Sequence, residues 1–135
     1  MVDTKNYQEW FKKAESDLKG ARILFEHDAD FGLVCFHCQQ AVEKYLKGFL
    51  IYKTGILYEG HNLVKLCQKA AKYEKDFKKF YKDCSFLNTY YVETRYPAED
   101  PLIITLEEVE ECLNIVERIK GFILEILNQE GEKGV

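Results

Sequence analysis

Four polar residues, His37, Gln40, Lys44 and Lys47, recur every three or four positions in a segment that is otherwise nearly all apolar, Phe36-His37-Cys38-Gln39-Gln40-Ala41-Val42-Glu43-Lys44-Tyr45-Leu46-Lys47. On a helix this spacing sets them along one edge. The edge reads either as the floor of a groove meeting a polar ligand or as hydrogen bonding to a neighbouring helix. The cost of leaving buried polar groups unsatisfied favours the second reading. Glu43 and Lys47, four residues apart, read as an ordinary ion pair on the helix surface, which says nothing about function. His61 stands just ahead of Leu63, where it is expected to cap a helix; in a cleft it could instead bind an anion or exchange a proton near neutral pH. Arg95-Tyr96-Pro97 differs in kind, because a guanidinium offers planar donors to phosphate or carboxylate and Pro97 fixes the exit path of the chain. An Arg there either meets a ligand or pins the loop to an acidic residue. Cys35 and Cys38 look like half a zinc site, but no second close ligand pair follows, so no metal is expected. Cys67, Cys84 and Cys112 fall on or beside apolar stripes and read as core fillers. No Gly-rich phosphate loop, Ser/His/Asp pattern or paired catalytic carboxylates can be picked out, and no cofactor is expected.

These residues need helices to position them. Trp10, Ala14, Leu18, Ala21 and Phe25 advance by three or four and predict a first helix, ended by Asp28-Ala29-Asp30. A second, nearly all-apolar helix runs from Phe31 to Thr54-Gly55, where glycine suits a helix end. Leu63, Leu66 or Cys67, Ala70 and Tyr73 predict a short third helix. Phe77, Phe80 or Tyr81, Cys84, Leu87 and Tyr91 predict a fourth, with Glu74-Lys75-Asp76 as the joint between them. The only prolines, Pro97 and Pro101, punctuate the chain before Thr105-Leu106-Glu107-Glu108, which has capping-box spacing. A long last helix then carries Leu106, Val109, Leu113, Val116, Ile123 and Leu127 on one stripe. Nothing reads as a strand or an internal repeat. The expectation is an all-α, up-and-down bundle of four to five helices, a single domain over 1–129, with 130–135 a flexible tail.

Composition narrows the classes further. The 135 residues are 47% hydrophobic and 31% charged, enough apolar side chain for one core and against disorder. A net charge of -4 argues against a protein that coats nucleic acid with its whole surface. Charge is nevertheless uneven: Lys65, Lys69, Lys72, Lys75, Lys78, Lys79 and Lys82 face only Glu74 and Asp76 over the same stretch, while acids dominate after Glu99. Lys65, Lys69 and Lys72 share one helix face; a solvated face is the simpler reading, and RNA or an acidic partner the functional one. No apolar run approaches a membrane span, and five cysteines at core-like positions fit reduced thiols, so a cytoplasmic location without membrane contact is expected. The aromatic load, nine Tyr, nine Phe and Trp10, together with the opposite charges of the two ends, predicts a homodimer.

The combination of Trp10, Ala14, Asp17, Leu18 and Ala21, then Cys38-Gln39-Gln40-Ala41-Val42-Glu43-Lys44-Tyr45-Leu46-Lys47, then His61-Asn62-Leu63, and finally Tyr90-Tyr91 with Thr94-Arg95-Tyr96-Pro97 resembles the HEPN domain, the higher eukaryote and prokaryote nucleotide-binding domain. The likeness extends from about Tyr7 to Leu127. It implies a helical bundle, commonly a dimer, often encoded beside a minimal nucleotidyltransferase. In such pairs the helical protein is an accessory nucleotide-binding subunit or a ribonuclease toxin that the transferase silences. Ribonuclease members carry an Arg, then four to six residues, then a His; here the corresponding window after Arg95 holds Asp100, Pro101 and Leu102, and no His follows His61. The resemblance therefore implies a non-catalytic protein, with Arg95, Tyr96, His61, Lys44, Gln40 and His37 as candidates for a groove that meets a nucleotide or partner. A metal-independent endoribonuclease using Arg95 with His37 or His61, and a helical adaptor without a nucleotide site, are the alternatives.

Overall fold

A computed structural model of the chain describes residues 5–92 and 103–133. Five α-helices, with no strand among the described residues, follow one another as α1 (Tyr7–Glu26), α2 (Phe31–Thr54), α3 (Leu63–Ala71), α4 (Tyr81–Val92) and α5 (Leu106–Lys133); a 3-10 turn, Lys75–Phe80, leads into α4. Their starts are set by short polar side chains. Asn6 accepts from the Gln8 amide, Asp30 from Leu33, Asn62 from Lys65 and Thr105 from Glu108, each satisfying an amide that the helix leaves unpaired. Gly55 ends α2 at φ 73°, a left-handed conformation that a Cβ would penalise, and its N–H donates to the Ile51 carbonyl.

Helix α2 is the central rod, because it is apolar almost all round and packs against α1, α3, α4 and α5. Its residues Val34, Cys38, Ala41, Tyr45 and Phe49 are buried with Leu18 and Ala21 of α1, Leu63 and Leu66 of α3, and Ile119 and Ile123 of α5. Phe77 packs between Phe49 and Phe122 at ring separations of 4.8 and 4.9 Å, locking the 3-10 turn onto α2 and α5.

Several expectations need correcting. The apolar stripe of α5 runs through Val109, Cys112, Ile115, Val116, Ile119, Ile123 and Ile126, while Leu106 is exposed. Tyr73 lies beyond the end of α3 and is also exposed. Helix α5 runs to Lys133, and Glu130 accepts from the Tyr52 hydroxyl and pairs with Lys53, tying that turn to α2.

Gly48 permits the close crossing of α1 and α2. A Cβ there would lie 2.7 Å from Phe11 Cε1 and 3.2 Å from Trp10 Cβ. Gly48→Ala is expected to cost about 1–2 kcal/mol in urea unfolding, since overpacking outweighs the gain in helix propensity. Gly20→Ala, in α1 with nothing within 4 Å of the new Cβ, is expected to stabilise by about 0.5–1 kcal/mol.

Candidate functional site

Three polar residues of α2 are buried against the apolar core: Gln39, Glu43 and Lys47, at 0, 4 and 6% exposure. Glu43 and Lys47 are thus a buried ion pair, with Lys47 Nζ 3.1 Å from Glu43 Oε2, and not the surface pair that their spacing suggests. The loop before α3 closes over them. His61 sets its Nδ1 2.9 Å from Glu43 Oε1, and Gln39 Nε2 donates to the His61 carbonyl at 3.2 Å. Gln40 completes the chain by donating to Gln39 Oε1 at 2.8 Å.

His61 does not cap α3, as its position predicts; Asn62 takes that role, and Asn88 Oδ1 accepts the Leu63 amide. Freed from capping, the imidazole stacks on Tyr91 of α4 with ring centroids 4.4 Å apart and planes 19° from parallel. Phe36 of α2 lies 6.3 Å from Tyr91. Glu43 fixes one ring nitrogen of His61 and Tyr91 fixes the ring plane, so the orientation of the imidazole is set by two independent contacts. Tyr91 carries the last described side chain before the Arg95 segment; Arg95 and Tyr96, with Pro97, lie outside the described residues.

A cavity of about 300 Å³ opens beside this cluster, lined by Trp10, Lys47, Leu57, Tyr58, Glu59, Gly60 and His61. Lys47 Nζ lies 5.8 Å from the Trp10 ring centroid, within reach of a cation–π contact. The hollow therefore joins an indole, an ammonium, an imidazole and, at Glu59, a carboxylate. Trp10 in the hollow, and Glu43 and Tyr91 in the cluster behind it, are not among the residues that the sequence pattern singles out for a site.

The remaining candidates gather elsewhere. His37 and Lys44 both turn to Asp17 of α1, with His37 Nδ1 3.1 Å from Asp17 Oδ1 and Lys44 paired with the other oxygen. This is the interhelical hydrogen bonding expected of a polar helix edge. Burial pushes the Asp17 carboxyl up, but hydrogen bonds from His37 and Lys44 outweigh it and hold the group below its ordinary value. A depressed carboxylate stabilises the fold above its unfolded value and loses that contribution as acid protonates it. The stability gap between wild type and Asp17→Asn is therefore expected at pH 7 and to close below about pH 4, read from urea midpoints across pH. All five cysteines are buried, and burial pushes the Cys38 thiol up, so it stays protonated. Among the described residues no group of three or more His, Cys, Asp or Glu could hold a metal ion, and no helix is long and apolar enough to cross a membrane.

Together these features define a five-helix bundle with a buried polar seam opening on a small cavity. The HEPN domain family model matches residues 7–127, and the chain belongs to that family. Two solved structures share its architecture. TT1696 from Thermus thermophilus is 27% identical, with a TM-score of 0.76 covering 90% of this chain and 98% of that one. ST0689, described as an archaeal HEPN homologue, is 27% identical, with a TM-score of 0.72 covering 89% of this chain and 96% of that one. No curated protein sequence matches the chain.

Proposed function

We propose that this chain is a non-catalytic, nucleotide-binding accessory subunit that acts, as a homodimer, with a minimal nucleotidyltransferase, in the manner of toxin–antitoxin pairs. The observation that carries the nucleotide reading is the Trp10–Lys47–His61 cavity. Its volume of about 300 Å³ stands at the small end of the range of small-molecule sites. Trp10 offers a base a stacking surface, Lys47 has two donors beyond the one on Glu43, and Glu59 offers a carboxylate to a ribose hydroxyl. Family membership supports the same reading. Calorimetric titration with ATP and GTP is expected to give saturable heat; heat from neither, while a purified nucleotidyltransferase binds, would favour the plain adaptor. Light scattering is expected to give twice the monomer mass at tens of micromolar.

The endoribonuclease reading is favoured by one contact, the Glu43 carboxylate on His61 Nδ1, which is how a general base is oriented. Mixed RNA incubated without metal is expected to stay intact. Cutting by wild type that disappears in Arg95→Ala would replace the binding role with a catalytic one.

A further inference from the structure

Seven lysines fall from Lys65 to Lys82, against two acids, Glu74 and Asp76. None of the seven forms an ion pair among the described residues, whereas Lys44, Lys47, Lys53, Arg118 and Lys120 all do. Six are exposed, and Lys69 lies 4.9 Å over the Tyr58 ring. Lys65 and Lys69 of α3 and Lys72 at its C-terminal cap form one stripe with axial steps of about 6 and 4.5 Å. Lys75 and Lys78 share an edge of the 3-10 turn, and Lys79 lies 4.5 Å over Phe122 of α5. Of the nearby acids, Asp83 and Glu111 pair with Arg118 and Glu117 with Arg22, which leaves Glu74 and Asp76 within the face against seven lysines. An acidic chain that carries seven lysines against two acids over residues 65–82 has concentrated positive charge in that stretch.

Tyr73 decides between the two kinds of acidic partner. It lies in the turn between the α3 lysines and the 3-10 lysines, it is 48% exposed, and its ring meets no other aromatic ring among the described residues. An exposed ring between two groups of ammonium charges suits a polymer that alternates phosphates with flat bases. An acidic protein would pair with the charges and would bury the ring only by also bringing an apolar patch beside its carboxylates, whereas a nucleic acid brings phosphates and flat bases together. We propose that the face formed by α3, the 3-10 turn and the first turn of α4 binds single-stranded nucleic acid, through its phosphates on Lys65, Lys69, Lys72 and Lys78 and a stacked base on Tyr73. This surface adjoins the Trp10 cavity at one point, where Lys69 lies over Tyr58 of the cavity wall, but Lys65, Lys72, Lys78 and Tyr73 do not line the cavity.

Fluorescence anisotropy with a labelled twenty-nucleotide uridine RNA tests the proposal on the full chain. With three to four phosphates neutralised, log affinity is expected to fall against log salt with a slope of about -2 to -3. The triple variant Lys65→Glu, Lys69→Glu, Lys72→Glu should lose binding. Tyr73→Ala should weaken it about tenfold while leaving the salt slope in place. Circular dichroism should show both variants folded, since every altered side chain but Lys69 is exposed. Binding that survives the triple variant overturns the proposal. So does a Tyr73→Ala variant with unchanged affinity, or displacement of the RNA by polyglutamate at equal charge concentration, either of which would assign the face to an acidic protein.

Discussion

Glu43→Ala is expected to lower the unfolding free energy by about 3–5 kcal/mol, because it strands a charge in the core. Lys47, with its side chain only 7% exposed, would keep its ammonium and lose the carboxylate 3.1 Å away. The same change removes the contact to His61 Nδ1 and a hydrogen bond from Gln39, so the loop ahead of α3 loses its anchor. Glu43→Leu combined with Lys47→Met is expected to recover most of the loss, since removing both ions also removes the cost of desolvating them. Urea unfolding of the single and double variants measures both. A loss below about 1 kcal/mol for Glu43→Ala would mean that the pair behaves as a surface pair.

Trp10→Ala is expected to weaken mononucleotide binding about 10- to 100-fold, the range that loss of one base–aromatic stack predicts. Trp10 lines the cavity from α1, beside the Phe11 ring that fills the space over Gly48. Truncation opens the cavity wall and removes the ring that faces Lys47. His61→Phe separates stacking from hydrogen bonding: a phenyl ring can still lie against Tyr91 but gives Glu43 no donor. Calorimetry on both variants shows whether the base or the polar seam dominates affinity.

The helices are legible because their apolar residues keep a 3.6-residue period, and because Asp30, Gly55 and Thr105 stand where helix ends need a short polar side chain or a left-handed residue. The site is less legible, for a physical reason. Glu43 and Lys47 have the same i,i+4 spacing whether water or protein lies above them, and the groups that cover the pair, Trp10 of α1 and His61 of the loop before α3, come from far along the chain. His61 reads as a cap because it adjoins the helix start; Asn62, one residue closer and with a shorter amide side chain, makes the bond. A glutamate on the core-facing side of an otherwise apolar helix is the available signal, since a charge there needs partners from elsewhere in the chain. The edge of His37 and Lys44 is legible as interhelical bonding, and Asp17 is its acceptor.

The chain has one tryptophan, so its indole N–H gives one unambiguous proton resonance and reports directly on the cavity. Titration with ATP, followed by two-dimensional NMR, is expected to move that resonance saturably, with a midpoint equal to the calorimetric Kd. An indole signal that stays in place while ATP binds, or up to millimolar ATP without any binding, would contradict the assignment of the Trp10–Lys47–His61 cavity as the nucleotide site.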